Sequence, residues 1–343
     1  MQVIHGGDIY TNKVKLDFSV NVNPLGIPKG VEEALHRAVV RCQEYPDIRA
    51  LELTEAVAKQ LAVPKEYLLF GNGASEIFMG IMHALKPENV LIPVPSFYGY
   101  QYAAEAVESK ISYYFLKKEN SFLPGEDLFM MLTEDIDILF LAQPNNPTGK
   151  RLERDYLGKV LTVCREKGVY VVLDECFISF CEGDASFVSE IEEYPNLLLV
   201  QAFTKLYAIP GVRLGFLVSG NEGLVQKIGR QLPEWNLSVF AQEAGIACAK
   251  EKEFVEQTVW YVQKERAFLA EQLQKMGLEV FDGEGNFILL YTEKPLYELL
   301  LKRGILIRDC RNFKGLTKGY YRLAVKSREE NKILLREIGE CLA

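Results

Sequence analysis

Between about residue 31 and residue 245, short apolar runs alternate with longer stretches of helical periodicity. The runs Tyr67–Phe70, Asp137–Leu141, Gly168–Leu173, Asn196–Val200 and Leu214–Val218 are rich in β-branched and aliphatic residues and bounded by turn formers, as buried strands are. Helical spacing runs through Gly30–Gln43, Ser75–Leu85 and Glu153–Lys167. Alternation of this kind predicts an α/β fold, with a mostly parallel sheet covered by helices over residues 31–245. From about residue 246 the pattern changes to a long helix (Glu251–Lys275), short strands (Leu278–Phe281 and Phe287–Tyr291) and a terminal helix (Glu329–Leu342), which predicts a smaller α+β unit.

Polar residues gather where the apolar runs end. Tyr67–Phe70 runs into Gly71-Asn72-Gly73-Ala74-Ser75 and then a helix, an arrangement that offers backbone N–H groups and a helix N-terminus to a phosphate. Asp137–Leu141 empties into Pro144-Asn145-Asn146-Pro147-Thr148-Gly149, which cannot continue a strand and leaves Asn146 at its end. The run through Leu173 stops at Asp174-Glu175, where a carboxylate needs a cation or donors. After Asn196–Val200 comes Ala202-Phe203-Thr204-Lys205, with Arg213 eight residues on. An amine held at a strand end in apolar surroundings is partly desolvated, which lowers its pKa and makes it a nucleophile toward an aldehyde. Taken singly, these residues could be turn formers, a cap or a surface pair; the ordered set of anion cradle, amide, carboxylate and lysine is hard to obtain by chance.

Composition narrows the class. A chain of 343 residues with 48% hydrophobic content is globular and long enough for one large core plus a smaller lobe. A formal charge of −8 argues against a nucleic-acid partner, and three histidines make a metal site an unpromising reading. Seven scattered cysteines fit reduced thiols, and no apolar span approaches membrane length, so a cytoplasmic protein without membrane attachment is expected.

The Asn-Asn-Pro-Thr-Gly, Asp-Glu and Thr-Lys motifs, in this order, resemble the fold-type I aminotransferases over nearly the whole length. The resemblance implies pyridoxal 5'-phosphate as cofactor, a Schiff base at Lys205, Asp174 on the pyridine nitrogen and Asn146 on the ring 3'-oxygen. By the same resemblance Gly73, Ala74, Ser75, Thr204 and Arg213 hold the cofactor phosphate and Phe97 stacks on the ring. It also implies a homodimer, in which Tyr45 of Glu44-Tyr45-Pro46-Asp47 reaches the neighbouring subunit's cofactor phosphate. Residues 1–30 would join 246–343 in the small domain.

Within that family, His5-Gly6-Gly7 and Leu16–Gly26, including Asn23, resemble the entry segment of the L-threonine-O-3-phosphate decarboxylases. The stretches Ile307–Leu316 and Tyr320–Val325 are also closer to that pattern, and Phe177 stands where aminotransferases usually carry a tyrosine. The resemblance thus implies decarboxylation of O-phospho-L-threonine to (R)-1-amino-2-propanol O-2-phosphate, the linker of the cobalamin nucleotide loop. Arg322 would bind the substrate carboxylate, His5, Gly6 and Gly7, with Arg308, the substrate phosphate, and Asn23 would also contact the substrate. A histidinol-phosphate aminotransferase and a catalytically silent cofactor-binding protein remain the alternatives. One departure stands out: Ala202 replaces the serine or threonine usual three residues before the lysine, removing a donor to the cofactor phosphate.

Overall fold

A computed structural model describes residues 6–183 and 185–342. The chain opens with β1 (Leu16–Asp17), α1 (Lys29–Ala38), α2 (Leu51–Leu61), β2 (Leu68–Gly71), α3 (Ala74–Leu85), β3 (Asn89–Val94), α4 (Tyr98–Glu105) and β4 (Lys110–Phe115). It continues through α5 (Leu128–Met131), β5 (Ile138–Ala142), α6 (Arg154–Glu166), β6 (Tyr170–Asp174), β7 (Leu197–Ala202), α7 (Phe203–Leu206), β8 (Gly215–Val218), α8 (Glu222–Gly229) and α9 (Val239–Cys248). The remainder is α10 (Lys252–Lys275), β9 (Glu279–Phe281), β10 (Phe287–Tyr291), α11 (Leu296–Lys302), β11 (Ile305–Leu306), β12 (Arg308–Asp309), β13 (Tyr320–Ala324) and α12 (Arg328–Leu342).

Seven strands form the main sheet in the order β2-β8-β7-β6-β5-β3-β4, all parallel except β8, which returns antiparallel between β7 and β2. Both faces are covered, which is why Val171–Leu173 and Leu197–Val200 are wholly buried and read as continuous apolar runs. Helix α6 buries Leu157, Val160, Leu161 and Cys164, a single apolar stripe at helical spacing. The expected helix Gly30–Gln43 is split: α1 ends at Ala38 and a 3-10 turn carries Val39–Gln43. Val39 and Val40 are exposed there, so packing does not offset the poor helix propensity of two adjacent β-branched residues.

Four further strands, in the order β12-β13-β10-β9, form an antiparallel sheet packed against α10, α11 and α12. Glu265, buried within α10, accepts from Arg328 Nε at 2.8 Å and from Asn331 Nδ2 at 3.2 Å, so a satisfied carboxylate joins α10 to α12. Among the described residues no helix is long and apolar enough to cross a membrane.

What matters for the site is that the C-terminal ends of β5, β6 and β7 lie side by side, Ala142 opposite Asp174 and Asp174 opposite Val200. Strand β8 passes so close to the start of α3 that a Cβ on Gly215 would stand 2.7 Å from Ala74 N and 2.9 Å from Gly73 C. Backbone cannot yield there as a side-chain tip can. Gly215→Ala should therefore cost about 1–3 kcal/mol, the usual range for overpacking, measured by urea unfolding of the apoprotein; an unchanged midpoint would show that α3 and β8 part freely.

Candidate active site

Where these strand ends meet the small sheet lies a cavity of about 800 Å³. One end is built for an anion. Helix α3, three turns long, aims its N-terminus at the cavity with Ala74 and Ser75 in the wall. Gly73 precedes it at φ +82°, and a Cβ there would lie 2.4 Å from Arg213 Nη2, so glycine is needed both for the backbone turn and for the guanidinium's approach. Arg213 itself sits at φ 61° on the turn entering β8, and Thr204, buried in α7, lines the same cavity. Ala202 ends β7 with its methyl group in the same wall.

The middle of the cavity holds the titratable groups. Lys205 reaches the cavity from α7 but is shielded from bulk water; burial first, then the Arg322 and Arg213 charges, lower its pKa to about 8. Asp174 is buried at the end of β6 and accepts from the Tyr100 hydroxyl and, at 2.9 Å, from Cys176 N. Burial raises its pKa, and the Cys176 and Tyr100 donors oppose that rise. A cation beside this carboxylate would keep it ionised. Phe97 stands in the wall edge-on to Tyr100 at 5.6 Å, and Phe177 edge-on to Phe287 at 5.1 Å. The loop after β5 brings Asn146 in, where its Oδ1 accepts from Arg322 Nη1.

Behind this floor the adjacent side chains point to the opposite face, as strand alternation requires. Glu175 is buried there and accepts from Gln143 Nε2 at 3.0 Å, Phe187 N at 3.0 Å, Ser186 Oγ at 2.6 Å and Gln201 Nε2 at 2.9 Å. One carboxylate thus ties the ends of β5, β6 and β7 to the loop at 185–188.

The other end of the cavity is cationic. Arg322 and Arg308 occupy directly opposed positions on the antiparallel strands β13 and β12, and both are buried. Arg322 donates from Nη2 to Ser19 O at 2.7 Å, and Asn21, its amide oxygen turned to the guanidinium, accepts from Nη1 at 3.2 Å and Nε at 3.3 Å. Burial, with Arg308 adding to it, depresses the Arg322 pKa to about 10. Arg308 donates to Asn312 Oδ1 at 2.7 Å and lies 5.0 Å from the centre of the Phe313 ring.

The structure gathers Lys205, Asp174, Asn146, Ala74, Ser75, Phe97, Phe177, Thr204, Arg213, Arg308, Arg322 and Gly6 around this one cavity, with Gly73 against Arg213. Gly7 borders an adjoining space of about 410 Å³. His5 lies outside the described residues. Tyr45 is elsewhere, 83% exposed with its ring 5.2 Å from that of Trp235. Asn23, expected at the substrate, is not in the cavity wall: its amide donates to Leu206 O at 2.6 Å and Thr258 Oγ1 at 2.8 Å and joins the Lys205 turn to α10. Asn21, two positions earlier in the same extended segment, faces the cavity instead. Tyr100 escaped the sequence reading because nothing local links it to Asp174, and Cys176, two residues on, touches the carboxylate through its backbone N–H, which no side-chain pattern announces.

A lysine, a carboxylate, an amide and an anion cradle on adjoining strand ends define a fold-type I, pyridoxal-phosphate-dependent enzyme. The chain belongs to the aminotransferase class I and II family, whose model matches residues 13–338. It is 33% identical to the threonine-phosphate decarboxylase of Salmonella typhimurium (strain LT2) over 331 residues, 95% of this chain and 91% of that protein. The solved histidinol-phosphate aminotransferase from Clostridium acetobutylicum matches with a TM-score of 0.90 at 32% identity, covering 95% of this chain and 99% of that one. The L-threonine-O-3-phosphate decarboxylase from Porphyromonas gingivalis matches with a TM-score of 0.85 at 25% identity, over 95% and 99% of the two chains.

Because burial and two guanidinium charges disfavour its ammonium form, Lys205 should lose its proton near pH 8. Capture of formaldehyde by the apoprotein, fixed with borohydride and located at the Lys205 peptide by mass, should rise through about pH 8 and level off above it. A midpoint near that of a solvated lysine, about 10.4, would mean the amine is hydrated.

Proposed function

We propose that this protein is a pyridoxal 5'-phosphate-dependent decarboxylase of O-phospho-L-threonine. The residues suit the cofactor: Gly73–Ser75, Thr204 and Arg213 offer donors for its phosphate, Lys205 an amine for its aldehyde, Asp174 a carboxylate for its ring nitrogen and Asn146 an amide for its ring oxygen. When bound, pyridoxal phosphate supplies a protonated ring that withdraws electrons from the substrate's Cα. The protein's part is then to choose which Cα bond breaks, and that bond must stand perpendicular to the ring.

The observation that carries the reading is the opposed pair Arg308 and Arg322, two buried guanidiniums side by side at the substrate end. Like charges so placed repel, and a ligand with two anionic groups relieves both. Arg322 grips the carboxylate; Arg308, with the Gly6–Gly7 segment, holds the phosphate. Fixed at both ends, the substrate presents its Cα–carboxylate bond for cleavage. That bond would break, CO2 would leave and one proton would take its place at Cα, a proton for which the Lys205 amine in the cavity wall is the proposed donor. No oxidant and no 2-oxo acid enter. Tyr45, Ile48, Leu51 and Trp235 expose apolar surface, which supports a homodimer in which Tyr45 serves the partner's cofactor.

Cofactor-loaded protein should release CO2 from O-phospho-L-threonine without a 2-oxo acid, in step with aminopropanol phosphate. Arg322→Lys should lower kcat/KM by roughly 10- to 1,000-fold, since an ammonium cannot reproduce the two-pronged grip. Amino transfer from histidinol phosphate to 2-oxoglutarate, with no CO2, would make the protein an aminotransferase.

Ala202 leaves the cofactor phosphate short of one charge-assisted hydrogen bond, worth about 1.5–3 kcal/mol. Ala202→Ser should tighten cofactor binding by roughly tenfold or more in a fluorescence titration; an unchanged Kd would show that Thr204 and Arg213 already suffice.

A further inference from the structure

Ser19 lies where the substrate end of the cavity meets the N-terminal segment, and it is 1% exposed. The chain around it is stitched to both neighbouring strands: Phe18 N donates to Leu306 O at 2.7 Å, and Ala324 N to Phe18 O at 2.9 Å. Its carbonyl accepts from Arg322 Nη2 at 2.7 Å. Its hydroxyl donates to Asp17 Oδ1 at 2.6 Å, which fixes the rotamer, and accepts from Gly7 N at 2.7 Å. One residue therefore touches both the carboxylate-gripping arginine and the backbone of the N-terminal arm.

The two glycines of the arm are shaped to this contact. A Cβ on Gly6 would stand 2.4 Å from Ser19 O, and Gly7 adopts φ +85° with its Cβ position 3.0 Å from Val20 Cγ1. Only glycines can lie so flat against Ser19 and Val20. Gly6 and Ser19 also border both the main cavity and the adjoining one, so the arm runs along the partition between them.

We infer that Ser19 is a positioning residue. Its hydroxyl docks the Gly6–Gly7 arm at the cavity mouth in register with Arg322, so that arm and arginine grip the two anionic ends of one substrate. The inference rests on the decarboxylase reading for the identity of that substrate. A merely structural serine would affect every substrate alike; a docking serine affects only the end of the substrate that the arm holds.

The test uses the cofactor-loaded enzyme and its Ser19→Ala and Ser19→Thr variants. CO2 release is followed with O-phospho-L-threonine and with L-threonine, which lacks the phosphate, and deuterium exchange is followed at the Gly7 amide. For Ser19→Ala, exchange at Gly7 should quicken about tenfold, and KM for phosphothreonine should rise about tenfold with kcat within about twofold, the loss of one hydrogen bond felt in binding. KM for threonine should not move, and Ser19→Thr should keep the wild-type values. Equal losses on both substrates, or unchanged exchange, would overturn the docking role. Faster exchange in a protein that decarboxylates neither compound would leave the tether standing and sink the substrate reading.

Discussion

Cationic groups withdrawn from water into one cavity are the constraint on which the rest depends. Lys205, Arg308 and Arg322 share the space, and desolvation moves all three toward the neutral form. Among the described residues neither Lys205 nor Arg322 forms an ion pair; Arg322 is held by the Ser19 carbonyl and by the amides of Asn146 and Asn21. Such a cluster is costly by itself and becomes favourable when anions enter. For Lys205 the same cost is useful, because it puts a neutral amine within reach of ordinary pH. For the arginines, in the proposed reading, it acts as selection, since an anionic ligand offsets a desolvation cost that an uncharged one does not.

That cluster holds its shape because the sheet beneath it is over-determined. Gly73 and Gly215 let α3, β8 and Arg213 approach at backbone distance, which fixes the anion cradle against the strand leading from Lys205. Glu175 gathers four donors on the reverse face of the same strand ends, so the segments that carry Asn146, Asp174 and Lys205 are tied together from behind. A buried carboxylate with both oxygens satisfied tolerates little displacement, because losing any one donor leaves part of it unpaired.

The readable part of the sequence was the part with local periodicity. Buried parallel strands are apolar on both faces, so β5, β6 and β7 stood out within about two residues of their ends, and with them the polar residues at those ends. The two-residue strands β11 and β12 have too few positions to show a period. Tyr100 lies 74 residues from the Asp174 oxygen it donates to, and only the placing of α4 across the sheet brings them together. Asn21 and Asn23 share the alternation of one extended segment, and the sequence cannot say which meets Arg322. The deciding event is tertiary: the turn at Lys205–Leu206 approaches and takes up the Asn23 amide. Family resemblance pointed to the segment; only packing separates its two asparagines.

The choice between losing CO2 and transferring an amino group does not lie in the lysine, carboxylate or phosphate cradle, which the two outcomes share. In the proposed reading it lies in the geometry imposed from the far end of the cavity, where Arg322 hangs from the Ser19 carbonyl and Asn21 while Arg308 is set opposite it by the β12–β13 register. Rotation about the substrate's Cα–N bond is a soft coordinate, and two anchored anions remove that freedom. A change of reaction on this fold therefore needs no new catalytic group. It needs the short entry segment, the two-residue strand β12 and the β13 arginine to hold a substrate at a different angle over the same floor.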